Sequence, residues 1–187
     1  MQETHQFERA ARLHHVPKSR GALTAKALGI ESLLFDRDRR EITTPMPIAH
    51  TAHLGDSRAY LFREGQLTQL TRDHTLVEKW VQQGLIDAAT AFTHPERHVL
   101  TKALGMGADM EPGLTSTPIA PHDMILLCSD GLTKMLEDTA IASILSHAEG
   151  APDKSCHDLI EEALNKWGED NVTVIVLAWE PPAVTRV

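Results

Sequence analysis

The chain has 187 residues, 42% hydrophobic and 24% charged, which is enough apolar material for one globular domain with a real core and excludes a disordered segment. Its formal charge of -8 excludes a nucleic-acid backbone or an anionic membrane surface as the main partner, since both are held by Lys and Arg, and suits a site that collects cations. Two cysteines, Cys128 and Cys156, predict neither a disulfide framework nor a zinc cluster. The polar, His-rich start and the lack of any long apolar run predict a cytoplasmic protein without a signal or a membrane span.

Residues 2 to 14, with Phe7, Ala10, Ala11 and Leu13 among polar residues, predict a short amphipathic helix stopped by Pro17. Ile30 to Phe35 reads as a strand that runs into Asp36-Arg-Asp-Arg-Arg40. Haloacid-dehalogenase-type phosphatases place their nucleophile in such an Asp-x-Asp, but that motif needs Thr or Val where this chain has Arg40, so the segment reads as a charged hairpin loop. Ile48 to Leu54, Ala59 to Arg63 and Gln66 to Thr71 predict a three-stranded meander with tight turns at Gly55-Asp-Ser-Arg58 and Glu64-Gly65. His50 and His53, three apart on a strand, face opposite sides and form no ligand pair. Asp73-His74 then leads into a helix in which Thr75 and Glu78 make a capping-box pattern, Leu76, Val77, Trp80 and Val81 one apolar face, and Gly84 the stop. Pro95 lies between His94 and His98 and argues against a metal pair there, while Arg97 reads as a solvated arginine.

After a strand from Gly113 to Ile119 and a turn at Pro121-His-Asp123 comes the unbroken apolar run Met124 to Cys128, which predicts a short strand buried on both faces. Ser129-Asp-Gly131 follows, placing a carboxylate where the strand leaves the core, with a glycine able to take backbone angles that other residues resist. Ile141, Ile144, Leu145 and Ala148 line one helix, and Cys156, Leu159, Ile160, Ala163, Leu164 and Trp167 a longer one closed by Gly168. Then Glu169, Asp170 and Asn171 precede the β-branched strand Val172 to Leu177. One acid ends a strand and another begins one, so they share a sheet edge if the two strands are antiparallel neighbours. Two aspartates at one edge suggest a hard cation such as Mg²⁺ or Mn²⁺. Each motif alone is also an ordinary turn or cap. A tyrosine-phosphatase loop is excluded, because the position it gives to arginine, six after Cys128, holds Lys134.

Taken together, Leu127-Cys-Ser-Asp-Gly-Leu132, two helices and Asp170-Asn-Val-Thr-Val174 resemble the C-terminal half of the bacterial PPM-type (type 2C) metal-dependent serine/threonine protein phosphatases. The segment Ala52 to Leu61, with its Gly55-Asp56-Ser-Arg turn, and the Asp73-His74 pair extend the resemblance, and His94 to Gly105 resembles the family's flap. The resemblance implies an α+β fold, an antiparallel β-sandwich flanked by helices. Asp130 and Asp170 would be metal ligands and Asp73 the holder of an additional ion, with Gly131, Asn171, Gly55 and Asp56 structural beside them. The ions would be Mn²⁺ or Mg²⁺, two and a third at Asp73. The substrate would be a phosphoprotein, the target of a serine/threonine kinase, hydrolysed by metal-activated water with no protein nucleophile. Residues 1–47 match weakly, 48–180 form the phosphatase-type domain in its C-terminal portion, and 181–187 make a loose tail. The family's Asp-Gly-x-Gly-Gly motif has no counterpart here, since Asp130-Gly131 is the one Asp-Gly pair, so the expectation is an N-terminally incomplete, truncated sandwich with unpaired edges and about half of a metal shell. The alternatives are a non-catalytic relative that binds a phosphoprotein or a kinase, and an N-terminally decayed product.

Overall fold

Five consecutive apolar residues make strand β7 (Met124–Cys128), and all five are buried because both faces of the strand are covered. Met124, Leu126 and Cys128 face one core, and Ile125 and Leu127 the other. In this computed structural model, which describes residues 12–16, 33–36, 48–106, 111–148, 150–166 and 170–179, β7 lies at the centre of a five-stranded antiparallel sheet. The sheet runs β1 (Arg12–Val16), β8 (Val172–Ala178), β7, β4 (Arg58–Arg63), β5 (Gln66–Gln69). A second antiparallel sheet has the order β2 (Leu33–Asp36), β3 (Ile48–His53), β6 (Gly113–Pro118).

On one side of the larger sheet, α3 (Asp130–Thr133), α4 (Asp138–His147) and α5 (Pro152–Asn165) bring Leu132, Ile141, Leu145, Cys156, Leu159 and Ala163 against Tyr60, Leu126, Val174 and Val176. Each fully buried leucine or valine there contributes about 2 kcal/mol from removal of apolar surface. On the other side Ala49 of the smaller sheet meets Ala59, Leu61, Ile125 and Leu127. The layers are therefore helices, sheet, sheet. The antiparallel sandwich flanked by helices that the sequence suggests is the architecture observed. Burial alternates along β8, whose Val172, Val174 and Val176 are covered by the helices. No helix among the described residues is long and apolar enough to cross a membrane.

Three local expectations need correction. The meander is really one hairpin, β4 to β5, closed through Glu64 and Gly65 at φ 50 and 81, whereas β3 belongs to the other sheet. Its burial pattern gives the reason: β3 is covered at alternate residues, while β4 holds four buried residues in a row, as a strand between two neighbours and two layers must. Gly55, at φ 97, turns the chain from one sheet to the other, and its carbonyl accepts the His74 amide at 2.9 Å. The helix expected over residues 2 to 14 is a strand where it is described: Arg12 to His14 lie in β1, paired with Val176 to Val174 of β8. Ladder hydrogen bonds along an open sheet edge outweigh a weak helical pattern. The edges expected to be bare are also partly covered, β8 by β1 and β3 by β2. Residues 2–11, the charged run after Asp36, Trp167, Gly168 and the tail from Pro181 lie outside the described residues.

A short helix that the sequence reading passed over, α2 (Ala88–Thr93), is started by Asp87, whose carboxylate accepts the Thr90 amide at 2.7 Å. The helix predicted after Thr75 is α1 (Leu76–Gln82), and Thr75 Oγ1 accepts the Glu78 amide at 3.3 Å. His50 and His53 face opposite sides as expected. His50 shares a hydrogen bond with Ser116 Oγ, and His53 is buried with Nε2 2.7 Å from the Arg72 carbonyl.

Candidate metal centre

β7 and β8 are antiparallel neighbours, with Cys128 opposite Val174, so the chain leaves one strand and enters the other at the same edge of the sheet. Ser129 fastens that edge. Its amide donates to the Thr173 carbonyl at 3.0 Å, its hydroxyl to the Asn171 carbonyl at 3.2 Å, and the hydroxyl oxygen accepts the Thr173 amide at 3.0 Å. The next residue, Asp130, opens α3. Gly131 sits inside α3 rather than in a left-handed turn, which corrects the expected reason for a glycine. A Cβ at this position would stand 2.3 Å from the Asn171 carbonyl oxygen, so the absence of a side chain is what lets the two acid-bearing segments touch.

Asp130 and Asp170 converge on one cation, the ammonium of Lys134. Lys134 Nζ lies 2.5 Å from Asp130 Oδ2 and 3.2 Å from Asp170 Oδ2. The three side chains are partly sheltered, at 22%, 44% and 24% exposure for Asp130, Asp170 and Lys134. Desolvation pulls the Lys134 pKa down, but the hydrogen bond and charge of Asp130, followed by those of Asp170, outweigh it and hold the ammonium above the ordinary lysine value. Asp56 stands nearby. Burial first, and then the charge of Asp130, raise its carboxyl above the ordinary aspartate range.

Asp73 lines the same cavity of about 340 Å³ as Asp56, Asp130 and Lys134, but it is not drawn to the same cation. Arg58 grips it as a fork, Nε donating to Oδ1 at 2.9 Å and Nη2 to Oδ2 at 2.7 Å, with Gln69 adding a 3.3 Å contact. Arg58 Nη1 also donates to the Tyr60 hydroxyl, which in turn donates to Asp138 Oδ1. The cavity's other wall is built by α1, α2 and the following loop, with Val77, Val81, Phe92, Arg97 and His98. The proposed flap, His94 to Gly105, thus contributes Arg97 and His98 to the space above the acids.

The donor chemistry fits a hard divalent cation at one place. Two carboxylate oxygens already share a positive charge there, and the lysine nitrogen marks where it sits. The residues that would hold such an ion are Asp130 and Asp170. Asp73 is committed to Arg58 in this structure. Sequence reasoning missed Lys134 as a member of the site, although its spacing of four from Asp130 on a helix was a signal. It also missed Arg58, whose partner lies fifteen residues away across the β4–β5 hairpin and leaves no local trace.

Comparison with known proteins places the chain among phosphatases. The family model described as Stage II sporulation protein E (SpoIIE) matches residues 83–180, over half of the chain. The serine/threonine protein phosphatase PstP of Mycobacterium tuberculosis is 46% identical over 124 residues, which is 66% of this chain and 24% of that protein. The serine/threonine phosphatase stp of Listeria welshimeri is 38% identical over 126 residues, 67% of this chain and 50% of that protein. A crystal structure of the catalytic domain of PstP in complex with two manganese ions superposes with a TM-score of 0.61 at 40% identity, covering 71% of this chain and 54% of that one. The chain therefore spans between a quarter and a half of the length of these curated relatives.

Proposed function

Because this chain belongs to the PPM-type (type 2C) metal-dependent phosphatase family, we propose that residues 48–180 carry part of a phosphatase site that hydrolyses phosphoserine and phosphothreonine in proteins. The observation that carries this reading is the convergence of Asp130 and Asp170 on a single cation at the shared edge of β7 and β8. Mn²⁺ or Mg²⁺ bound there would supply a water of lowered pKa and positive charge for the phosphoryl oxygens. The chain's own residues do the positioning. Gly131 brings the two acid segments into contact, and Ser129 pins Asp130 to the start of β8. Arg58 fixes Asp73 on the cavity wall, where an additional ion would reach it only after that fork loosens. Arg97 and His98 bring hydrogen-bond donors to the same cavity, which suits an anionic substrate group.

The natural substrate on this reading is a phosphoprotein marked by a serine/threonine kinase, in a cytoplasmic setting. A non-catalytic binding module is the weaker reading, because the relatives matched are phosphatases. The test is hydrolysis of a phosphothreonine peptide by the purified chain with and without Mn²⁺, beside Asp130→Asn prepared identically. Metal-dependent turnover that disappears in the variant supports the proposal. Equal rates in the two proteins would overturn it.

A further inference from the structure

The place where the two carboxylates meet already holds a positive charge that belongs to the chain. Lys134 is fixed there twice. Its amide donates to the Asp130 carbonyl at 2.9 Å, closing the turn that follows α3, and its ammonium reaches the Oδ2 atoms of Asp130 and Asp170. Two of the three ammonium donors are thereby used on the very oxygens a metal would need. A Mg²⁺ ion takes its oxygen ligands at about 2.1 Å in an octahedron, so it cannot share both Oδ2 atoms with an ammonium lying between them. Lysine is also the residue suited to leaving. Its charge is compact and strongly hydrated, its four-carbon stem is flexible, and the side chain, at 24% exposure, already borders solvent.

We propose that Lys134 is a tethered competitor for the divalent cation: it bridges Asp130 and Asp170 while no metal is bound, and it must swing out before a metal takes the two carboxylates. The inference rests on the reading of Asp130 and Asp170 as metal ligands and adds what controls their filling. Lys134 sets the metal concentration at which the site loads, because the apparent affinity falls by the fraction of molecules in which the acids are released. With Lys134 in place the two carboxylates keep one uncompensated negative charge, and a divalent ion removes it as the lysine head passes to water. Asp73 offers the contrast, since its arginine fork is held on both oxygens and braced by Tyr60, and does not yield in this way.

The experiment is a Mn²⁺ titration of the purified full chain, with free ion followed by electron paramagnetic resonance, for wild type, Lys134→Gln, Lys134→Arg, Asp130→Asn and Lys134→Gln combined with Asp130→Asn. Lys134→Gln is expected to bind Mn²⁺ about tenfold more tightly than wild type, the gain from a site no longer occluded about nine-tenths of the time. Lys134→Arg should show no gain, and the double variant should lose the site. Equal affinity in wild type and Lys134→Gln, with loss on Asp130→Asn, would overturn the competitor while leaving the metal ligands standing. Affinity indifferent to Asp130→Asn would overturn the ligand reading itself. A measurement on wild type alone guards against a variant that fails to fold: on titration with Mg²⁺ the Lys134 ε-methylene resonance should move to the position of a solvated lysine. A resonance that stays in place while Mg²⁺ saturates the chain would equally sink the inference.

Discussion

Two kinds of acid stand at the cavity and its edge, and they meet their counter-ions in different ways. Asp73 is held by a planar guanidinium that covers both carboxylate oxygens and is itself tied to Tyr60 and, through it, to Asp138. Asp130 and Asp170 share the single nitrogen of Lys134. The first arrangement is a strut, since a rigid fork on a sheltered acid loses little entropy and gives directional bonds. The second is a loose neutralisation by a flexible side chain. The difference teaches that charge balance alone does not say which acids are available to a ligand, and that the geometry of the counter-ion does.

The most damaging way to probe that contrast is to force the two halves of the Lys134 site apart. Gly131→Ala places a Cβ against the Asn171 carbonyl oxygen, and is expected to cost about 3 kcal/mol of stability in urea unfolding, together with loss of Mn²⁺ binding. An unfolding midpoint equal to wild type would mean that the edge has slack and that the glycine is not what brings the acids together. Next in size, Arg58→Ala removes the fork from Asp73, whose side chain is only 15% exposed, and leaves a sheltered charge unpaired. The expected loss is about 2 kcal/mol, intermediate between exposed and buried pairs, measured by the same unfolding. Lys134→Gln, by contrast, should lower the metal-free stability by only about 1 kcal/mol, the worth of a contact made about nine-tenths of the time. If Lys134→Gln were as costly as Arg58→Ala, the distinction between strut and loose counter-ion would collapse.

The smallest effect concerns an acid just ahead of the cavity-lining helix α2 that is held by a backbone amide. Asp87 is fully exposed and satisfied by the Thr90 amide at the start of α2, which holds its carboxyl below the ordinary aspartate value of 3.8. A depressed carboxyl pKa adds stability to the folded helix above the unfolded pKa, and that contribution is lost as the pH falls through the folded one. In an NMR titration the Thr90 amide resonance should therefore move with a midpoint below 3.8. Asp87→Ala should fray α2 at neutral pH and make little further difference in acid.

How much of this was legible in the sequence depended on whether a feature was local. The run Met124 to Cys128 announced a strand covered on both sides, and the acids at its end and before Val172 announced a shared edge, because strand identity and neighbour pairing follow from patterns within a few residues. The fate of β3 was not legible, since three short strands with tight turns look alike whether the third partner is a neighbour in the chain or a strand sixty residues on, and it was Gly113 to Pro118 that claimed it. At the site, Asp130 and Asp170 could be picked out as acids beside strands. Lys134 was weighed only as an arginine that was missing from a different motif, because an ion pair to Asp170 joins residues far apart in sequence. Gly131 was noticed for the wrong property, its backbone freedom, when the reason is the backbone of another strand pressed against it. β1 was read as the end of a helix because the partner that makes it a strand, β8, lies at the other end of the chain.

The double burial of β7 has a consequence for how the protein ages and fails. Asp130 hangs two residues beyond a strand whose every residue is covered, so its position is set by the helical layer through Leu126 and by the second sheet through Leu127. A methylene lost on either side shifts the same short tether. The carboxylate's position is thus set by two layers at once, and a change in the packing of either is expected to reach the cation site.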